Sequence, residues 1–274
     1  MNCIYCSSSI IVLNGHDKKG VQRYKCNDCH RRFCEKGIFA RYRFPKEVII
    51  NAIFLRSFPL STRNVKRILK KIELVKVSHV SIYNWIIKFV PHLLKISFIN
   101  PINFSSVWHV DEKFIHVRGS KDSHAYLWIV SDSNSKIIAV HISFERDCNN
   151  AKIILQKAKD IASFSPEIIV SDGLQGYKKA CKKVFGRKTR HVIAHFEAVG
   201  IVHNGKLMKL SNNRAERINE FPALWLHVCR GFKRLDRARL FIEFFVINYN
   251  YLMPHGIKET SKIKWEEVEA IIRK

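Results

Sequence analysis

Apolar positions along the chain follow three regimes. Between residues 45 and 93 they recur at the helical period: Val48, Ile49, Ala52, Ile53 and Phe54, then Val65, Ile68, Leu69 and Ile72, then Val80, Ile82, Trp85, Ile86 and Phe89. Pro45 suits the start of the first of these helices, and Ser61 and Ser78 are placed to cap the next two. From Ser105 the period falls to two. Residues 107–112 continued through 114–117, then 125–130 and 137–142, read as three strands pairing antiparallel as a meander. Residues 151–162 read as a helix and 167–171 as a fully buried strand that stops at Asp172-Gly173. Tyr177, Ala180, Cys181 and Val184 open another amphipathic helix, and a further one, with Glu216 in its first turn after capping residues, runs through Phe221, Leu224, Trp225 and Val228. Ahead of all these, residues 10–13 and 21–24 are β-prone and read as a hairpin, with its turn from Asn14-Gly15 to Gly20.

That short hairpin cannot bury a core of its own, which directs attention to its cysteines. Cys3-x-x-Cys6 and Cys26-x-x-Cys29 are separated by 19 residues, and the other four cysteines are scattered. Two such knuckles present four thiolates to one tetrahedral Zn²⁺, and metal binding then supplies the folding energy. With all four positions filled by thiolate, the site is structural. Arg23, Tyr24, Lys25, His30, Arg31, Arg32 and Phe33 crowd the second knuckle, a set that suits nucleic acid better than chemistry. No apolar run approaches the ~18 residues of a membrane span, and the N-terminus lacks a basic and apolar leader. The expectation is a cytoplasmic protein with no membrane partner.

Charge sharpens the picture. The chain has 48 basic and 23 acidic side chains, a formal charge of +25. Residues 1–100 hold 19 and 5, residues 101–172 hold 8 and 9, and residues 173–274 hold 21 and 9. A near-neutral middle between two basic arms suits a polyanion held around a cation-requiring site, although a basic surface can also serve solubility alone. The second and third N-terminal helices, joined by a short connector, fit a helix-turn-helix. In that reading Ser78, His79, Ser81 and Asn84 face the major groove while Arg63, Lys66 and Lys70 meet phosphates; a helical bundle with a solvated basic face is the alternative.

The neutral middle places carboxylates on strands. Asp111 inside an apolar strand is costly unless paired or bound to metal, and Asp172 stands at a strand's C-terminal edge, where α/β sheets place ligands. Each also has a plain reading: an exposed edge residue for Asp111, a helix cap for Asp172. Glu216, in the first turn of its helix, could likewise only complement the helix dipole.

Four stretches together resemble DDE-type insertion-sequence transposases, most of all the IS6-type group and its archaeal relatives. They are Trp108-His109-Val110-Asp111-Glu112; Tyr126-Leu127-Trp128-Ile129-Val130-Ser131-Asp132; Val170-Ser171-Asp172-Gly173 with Tyr177 and Ala180; and Asn212-Asn213-Arg214-Ala215-Glu216-Arg217. Arg230-Gly231-Phe232-Lys233, Asn248-Tyr249-Asn250-Tyr251 and Pro254-His255-Gly256 match more weakly. The 43 residues between Asp172 and Glu216 exceed the expectation for the IS6 type.

The resemblance implies an α/β, retroviral-integrase-like RNase H fold with a mixed five-stranded sheet. It implies a zinc ribbon over residues 1–40, a helix-turn-helix region over 41–98, a catalytic core over 99–252 and a C-terminal tail over 253–274. Asp111, Asp172 and Glu216 then hold two Mg²⁺ (or Mn²⁺), and the partners are double-stranded DNA, both terminal inverted repeats and target, and further copies of the chain in a homodimer or larger assembly. The setting is prokaryotic and nucleoid-associated. Arg217, Arg230 and Lys233, with Arg234, Arg237 and Arg239, are expected on DNA phosphates. Glu112 is expected on the opposite strand face from Asp111 and outside the triad; His109 and His195 are candidates for the border of the site. A nuclease or resolvase that cuts without joining, or a regulator with an inactive core, are the competing functions.

Overall fold

The computed structural model describes residues 2–252 except 7, 19, 35–38, 40, 41, 73, 74, 95–100, 119–123, 195, 196, 204 and 212, and leaves aside the side chains of 206, 213–217, 219 and 221. The chain divides into two compact units, one built on Met1–Ile96 and the other beginning at Ser97.

The first unit opens with a three-stranded antiparallel sheet, β1 (Ile11–His16), β2 (Gln22–Cys26) and β3 (Arg32–Cys34), in that order. The turn expected from Asn14-Gly15 to Gly20 is confined to its second half: β1 runs through Asn14-Gly15, and the ladder slips between Leu13 and His16, where Gly15 takes φ +66°. The chain reverses at Asp17–Gly20 instead, because Asp17 Oδ1 accepts from the Val21 N–H at 2.9 Å and the Asp17 carbonyl from the Gly20 N–H at 3.0 Å. Among the described residues its core is Cys3, Cys26 and Phe33, backed by Ile4, Ile11, Tyr24 and Cys29. Three helices follow and pack on one another: α1 (Lys46–Ser57), α2 (Thr62–Ile72) and α3 (His79–Leu93). Both caps read from the sequence form: Ser61 Oγ accepts from the Asn64 N–H at 3.1 Å and Ser78 Oγ from the Ser81 N–H at 3.0 Å.

The second unit is built on a mixed five-stranded sheet in the order β6-β5-β4-β7-β8. β4 (Val107–His116), β5 (His124–Asp132) and β6 (Ile137–Ser143) form the antiparallel meander, while β7 (Ile168–Ser171) and β8 (Arg190–Ile193) run parallel to β4. Parallel strands need crossovers, supplied by α4 (Cys148–Ala162) and α5 (Gln175–Phe185). One sheet face buries Trp108, Val110, Trp128 and Val130 against Ile154, Leu155, Tyr177 and Phe185 of these helices. The other face buries Val107, Ile168, Val170 and Val192 against Ile201 and Leu210 of a hairpin, β9 (Val199–His203) and β10 (Lys206–Leu210). This hairpin accounts for part of the long stretch between Asp172 and Glu216.

Helix α6 (Asn213–Cys229) packs against β4 and β5, and α7 (Leu235–Ile247) against β6 before ending in a π-helical turn, Asn248–Leu252. That turn clamps the edge of the sheet: buried Asn250 accepts from the Ile137 N–H at 3.0 Å and donates to the Ile137 carbonyl at 2.7 Å. Between α6 and α7, Phe232 bridges to Val117, and Gly231, at φ +80°, lies so close that a Cβ there would meet the His116 carbonyl oxygen at 2.9 Å. No described helix is long and apolar enough to cross a membrane.

Candidate functional site

β7 pairs with β4 over three positions only, Val107↔Ile168, Trp108↔Ile169 and His109↔Val170. Beyond His109, β4 continues while β7 ends at Ser171 and the chain turns away at Asp172. Asp111 and Glu112 therefore stand on a stretch of β4 that β7 no longer covers, and Asp172 emerges beside them. Carboxylate oxygens of Asp111, Glu112 and Asp172 lie within 4.8 Å of one another.

Glu112 was expected on the opposite strand face from Asp111 and outside the triad; the face holds, but an oxygen of its carboxylate still reaches those of Asp111 and Asp172. Alternation holds for the rest of the strand, since Trp108 and Val110 face α4 and α5 while Val107 faces the hairpin. Glu112 shares the side of Trp108 and Val110, yet past the end of β7 the strand is flanked by β5 alone and its other edge is open. Its side chain, only 3% exposed, meets the others at that edge. There Tyr177 donates its phenol O–H to Glu112 Oε2, and Arg146 donates Nε–H to Oε1 at 2.6 Å, with Nη2 on the same oxygen. Arg146 Nη2 also stands 3.7 Å from Asp172 Oδ2. Burial, followed by the neighbouring charge of Glu112, raises the Tyr177 phenol well above its ordinary range, so it stays a donor.

Asp172 does not cap α5, whose N-cap position is Leu174 with no side-chain bond; its Oδ1 accepts from the Leu174 N–H at 3.2 Å in the turn ahead of the helix. Just before it, Ser171 Oγ is 2.9 Å from His191 Nε2, which ties the end of β7 to β8. His109 is buried, on the same side of β4 as Asp111. Glu216 lies in the first turn of α6, but its side chain and that of Arg217 fall outside the described residues, as do His195 and the tail 253–274. The packing of α6 on β4 brings the helix that carries Glu216 to the strand that carries Asp111.

The donor set suits hard cations. An octahedral ion with oxygen ligands at 2.0–2.1 Å spaces adjacent ligand atoms by about 3 Å and opposite ones by about 4.2 Å. Oxygens within 4.8 Å of one another match that span with small adjustments. A second constellation occupies the N-terminal sheet. Cys3, Cys6, Cys26 and Cys29 also converge within 4.8 Å, with Cys3–Cys29 and Cys6–Cys26 sulfur distances of 3.6 Å each. Four sulfurs at 2.3 Å from one zinc would stand about 3.8 Å apart. Backbone N–H groups, that of Cys29 first, lower the Cys26 thiol to about 7, whereas Cys6 is pushed up to about 12, the Ser8 backbone bond being outweighed by desolvation and the neighbouring thiols.

Of the residues expected on DNA, Arg63, Lys66, Lys70, Ser78, His79 and Asn84 are exposed and Ser81 is half-buried. Val80 and Tyr83 share the exposed start of α3. Arg230 and Lys233 are exposed between α6 and α7, whereas Arg234 and Arg237 are engaged with Asp236 at 2.9 and 3.7 Å. Arg146 was missed altogether by sequence reading. It sits in a connector and follows no periodicity, and only the adjacent Asp147, the cap of α4, carries a local signal.

A family model described as a DDE domain, of the IS240 type, matches residues 105–251. The transposase for insertion sequence-like element IS431mec of Staphylococcus aureus is 27% identical over 150 residues, covering 53% of this chain and 64% of the relative. The transposase for insertion sequence element IS257 in transposon Tn4003, also from Staphylococcus aureus, matches at the same identity and coverage. The chain thus spans just under two thirds of the length of these relatives. Among solved structures, the HTLV-2 integrase catalytic core domain in complex with magnesium superposes with a TM-score of 0.39 at 14% identity, covering 60% of this chain and 99% of that one.

The buried anchor of the site makes a direct prediction. Tyr177→Phe deletes one hydroxyl and leaves Glu112 Oε2, in a buried carboxylate, without its donor. Such a loss costs about 1–3 kcal/mol, so urea unfolding should show a lower midpoint with an unchanged slope. An unchanged midpoint would mean that water replaces the phenol and that the site is wetter than its burial indicates.

Proposed function

Because the chain belongs to the DDE-domain family, we propose that it is a transposase, a polynucleotidyl transferase that cuts and joins DNA at the ends of its own insertion sequence. The observation that carries this reading is the convergence of Asp111 and Asp172 at the point where β7 stops, with Glu216 as the third carboxylate, delivered by α6. These oxygens would hold two Mg²⁺ (or Mn²⁺) ions, which when bound stabilise the attacking and leaving oxygens of an in-line displacement at phosphorus. Asp111 and Asp172 stand on neighbouring strands where β7 ends, and the apolar layer of Trp108, Val110 and Tyr177 on the helical face of the sheet holds β4 in place.

Two displacements complete the reaction. Water attacks a phosphodiester at the element's end, forming one P–O bond and breaking another, and a 3′-hydroxyl is released. That hydroxyl attacks a phosphodiester of target DNA in the same way, so bond energy is conserved and no nucleoside triphosphate enters. The first unit supplies recognition of double-stranded terminal repeats: the start of α3 offers Ser78, His79, Ser81 and Asn84 to base edges, while Lys66 and Lys70 neutralise phosphates. Arg217, Arg230 and Lys233 hold DNA near the core. One structural Zn²⁺ on Cys3, Cys6, Cys26 and Cys29 organises the N-terminal sheet. Joining two element ends requires two such sites, which favours a homodimer or larger assembly on DNA. The setting is the nucleoid of a prokaryotic cytoplasm.

An oligonucleotide assay that scores nicking at a terminal repeat and transfer into a second duplex tests the reading. Asp111→Asn, Asp172→Asn and Glu216→Gln should each lower both steps by orders of magnitude while end-binding persists, and a double variant should be little worse than a single one. Nicking without transfer would favour a nuclease or resolvase. Undiminished activity in Glu216→Gln would put the third carboxylate elsewhere.

For the N-terminal site, metal analysis of the purified chain should find about one zinc per chain. Cys3→Ser should lose both that zinc and the ordered sheet. Full zinc occupancy in a Cys3→Ser/Cys26→Ser variant would show that the ligands lie elsewhere.

A further inference from the structure

We infer that Arg146 grips the phosphodiester under attack, and that Glu112 and Tyr177 are not part of the metal site but the buried anchor that aims Arg146. The inference rests on the phosphoryl-transfer reading and names a further residue of that same site.

Glu112 is already committed within the protein. Its side chain is 3% exposed, Oε1 takes the Arg146 Nε–H and Nη2, and Oε2 takes the Tyr177 hydroxyl. A buried carboxylate without such donors would be strongly destabilising, so these bonds are a condition of its burial. A cation drawn to Glu112 would have to displace the guanidinium or the phenol, whereas the Asp172 side chain is 33% exposed and meets Arg146 only at 3.7 Å.

Arg146 is held differently. Its side chain is 38% exposed. One edge of the fork is fixed on Glu112, Nη2 lies 3.7 Å from Asp172 Oδ2, and Nη1 has no hydrogen bond among the described residues. The connector that carries it is short and tied at both ends. Ser143 Oγ donates to the Glu145 carbonyl at 2.6 Å, and Asp147 Oδ1 accepts from the Asn150 N–H at 2.8 Å to cap α4. A planar cation is thus fixed along one edge and open along the other, beside the carboxylates that must approach a phosphodiester. Those carboxylates repel a phosphate; a guanidinium attracts it and matches two of its oxygens at once. Among the described residues Arg146 is the one cation paired with Asp172. The shared chemistry is that of a non-bridging phosphate oxygen on the strand being cut.

The test uses the full chain and short duplexes carrying the terminal repeat, with either a normal phosphate or an uncharged methylphosphonate at the cleavage position. Binding is followed by fluorescence anisotropy with Ca²⁺ replacing Mg²⁺, and cleavage separately in Mg²⁺. Arg146→Gln should weaken binding of the normal duplex roughly 10- to 100-fold, the range of a charge-assisted contact, and leave binding of the methylphosphonate duplex nearly unchanged. Arg146→Lys should recover part of the affinity, because the charge returns without the fork. Since Arg146→Gln strands a buried carboxylate, Glu112→Gln/Arg146→Gln serves as the folded control: it should regain thermal stability and keep the binding defect. Recovery of normal-duplex affinity in that double variant would overturn the inference and reduce Arg146 to a neutraliser of Glu112. Equal weakening on both duplexes would do the same. Asp111→Asn separates the two levels: if it abolishes cleavage while Arg146→Gln binds like wild type, only the inference fails, and if it cleaves normally, the reading of the site fails first.

Discussion

The three-residue parallel pairing of β7 with β4 sets the geometry on which the site depends. Ile168, Ile169 and Val170 lie beside Val107, Trp108 and His109, and the strand is buried along its whole length. Ile169 faces the helical layer and Ile168 and Val170 face the hairpin layer. A slip of one residue would turn every one of these side chains to the wrong face and carry Asp172 about 3.3 Å along the strand. Apolar packing on both faces therefore fixes the position of a carboxylate that makes none of that packing itself. The same pairing, by ending early, leaves the edge of β4 open at Asp111 and Glu112.

Burial and charge then divide the acidic cluster. Tyr177 is fully buried on α5 and Arg146 sits at the rim, so Glu112 is bonded from below and from the side, and its charge is cancelled inside the protein. Asp172 meets the same guanidinium only at 3.7 Å. In a chain of formal charge +25, this near-neutral island is where cations can be concentrated without competing against dense basic surface, while the basic arms on either side of it in sequence attract the polyanion.

Much of this was legible in the sequence, for identifiable reasons. The cysteine spacing encodes the convergence of four thiols. The period-two runs give the meander, and the Ser61 and Ser78 caps mark helix starts correctly because capping is local. Asp172 could be found because a carboxylate ending an apolar strand is conspicuous. What periodicity did not show are short or non-local features. β8 and the β9–β10 hairpin are four and five residues long, too brief for a period to register. Asn14-Gly15 looks like a turn and is a bulge, since the Asp17 side chain makes a better reversal three residues later. Glu112 takes the face that alternation gives it, but its approach to Asp111 and Asp172 follows from β7 ending early, which no local pattern shows. Arg146 is brought to the site by a crossover that begins 34 residues beyond Glu112, a relation no local pattern carries. Asn250 and Gly231, which matched the family only weakly, prove to hold the sheet's edge and to allow a close backbone approach.

The central claim, that Asp111, Asp172 and Glu216 share divalent cations, is tested most directly by letting the ion report its own position. Fe²⁺ substituted for Mg²⁺, with ascorbate and peroxide, cuts the backbone next to where it is bound. The account predicts new chain ends near residues 111, 172 and 216, suppressed by excess Mg²⁺ and lost together in Asp111→Asn. Cuts confined to the cysteine-rich N-terminus, or cuts near 111 and 172 that persist unchanged in Asp111→Asn, would contradict it.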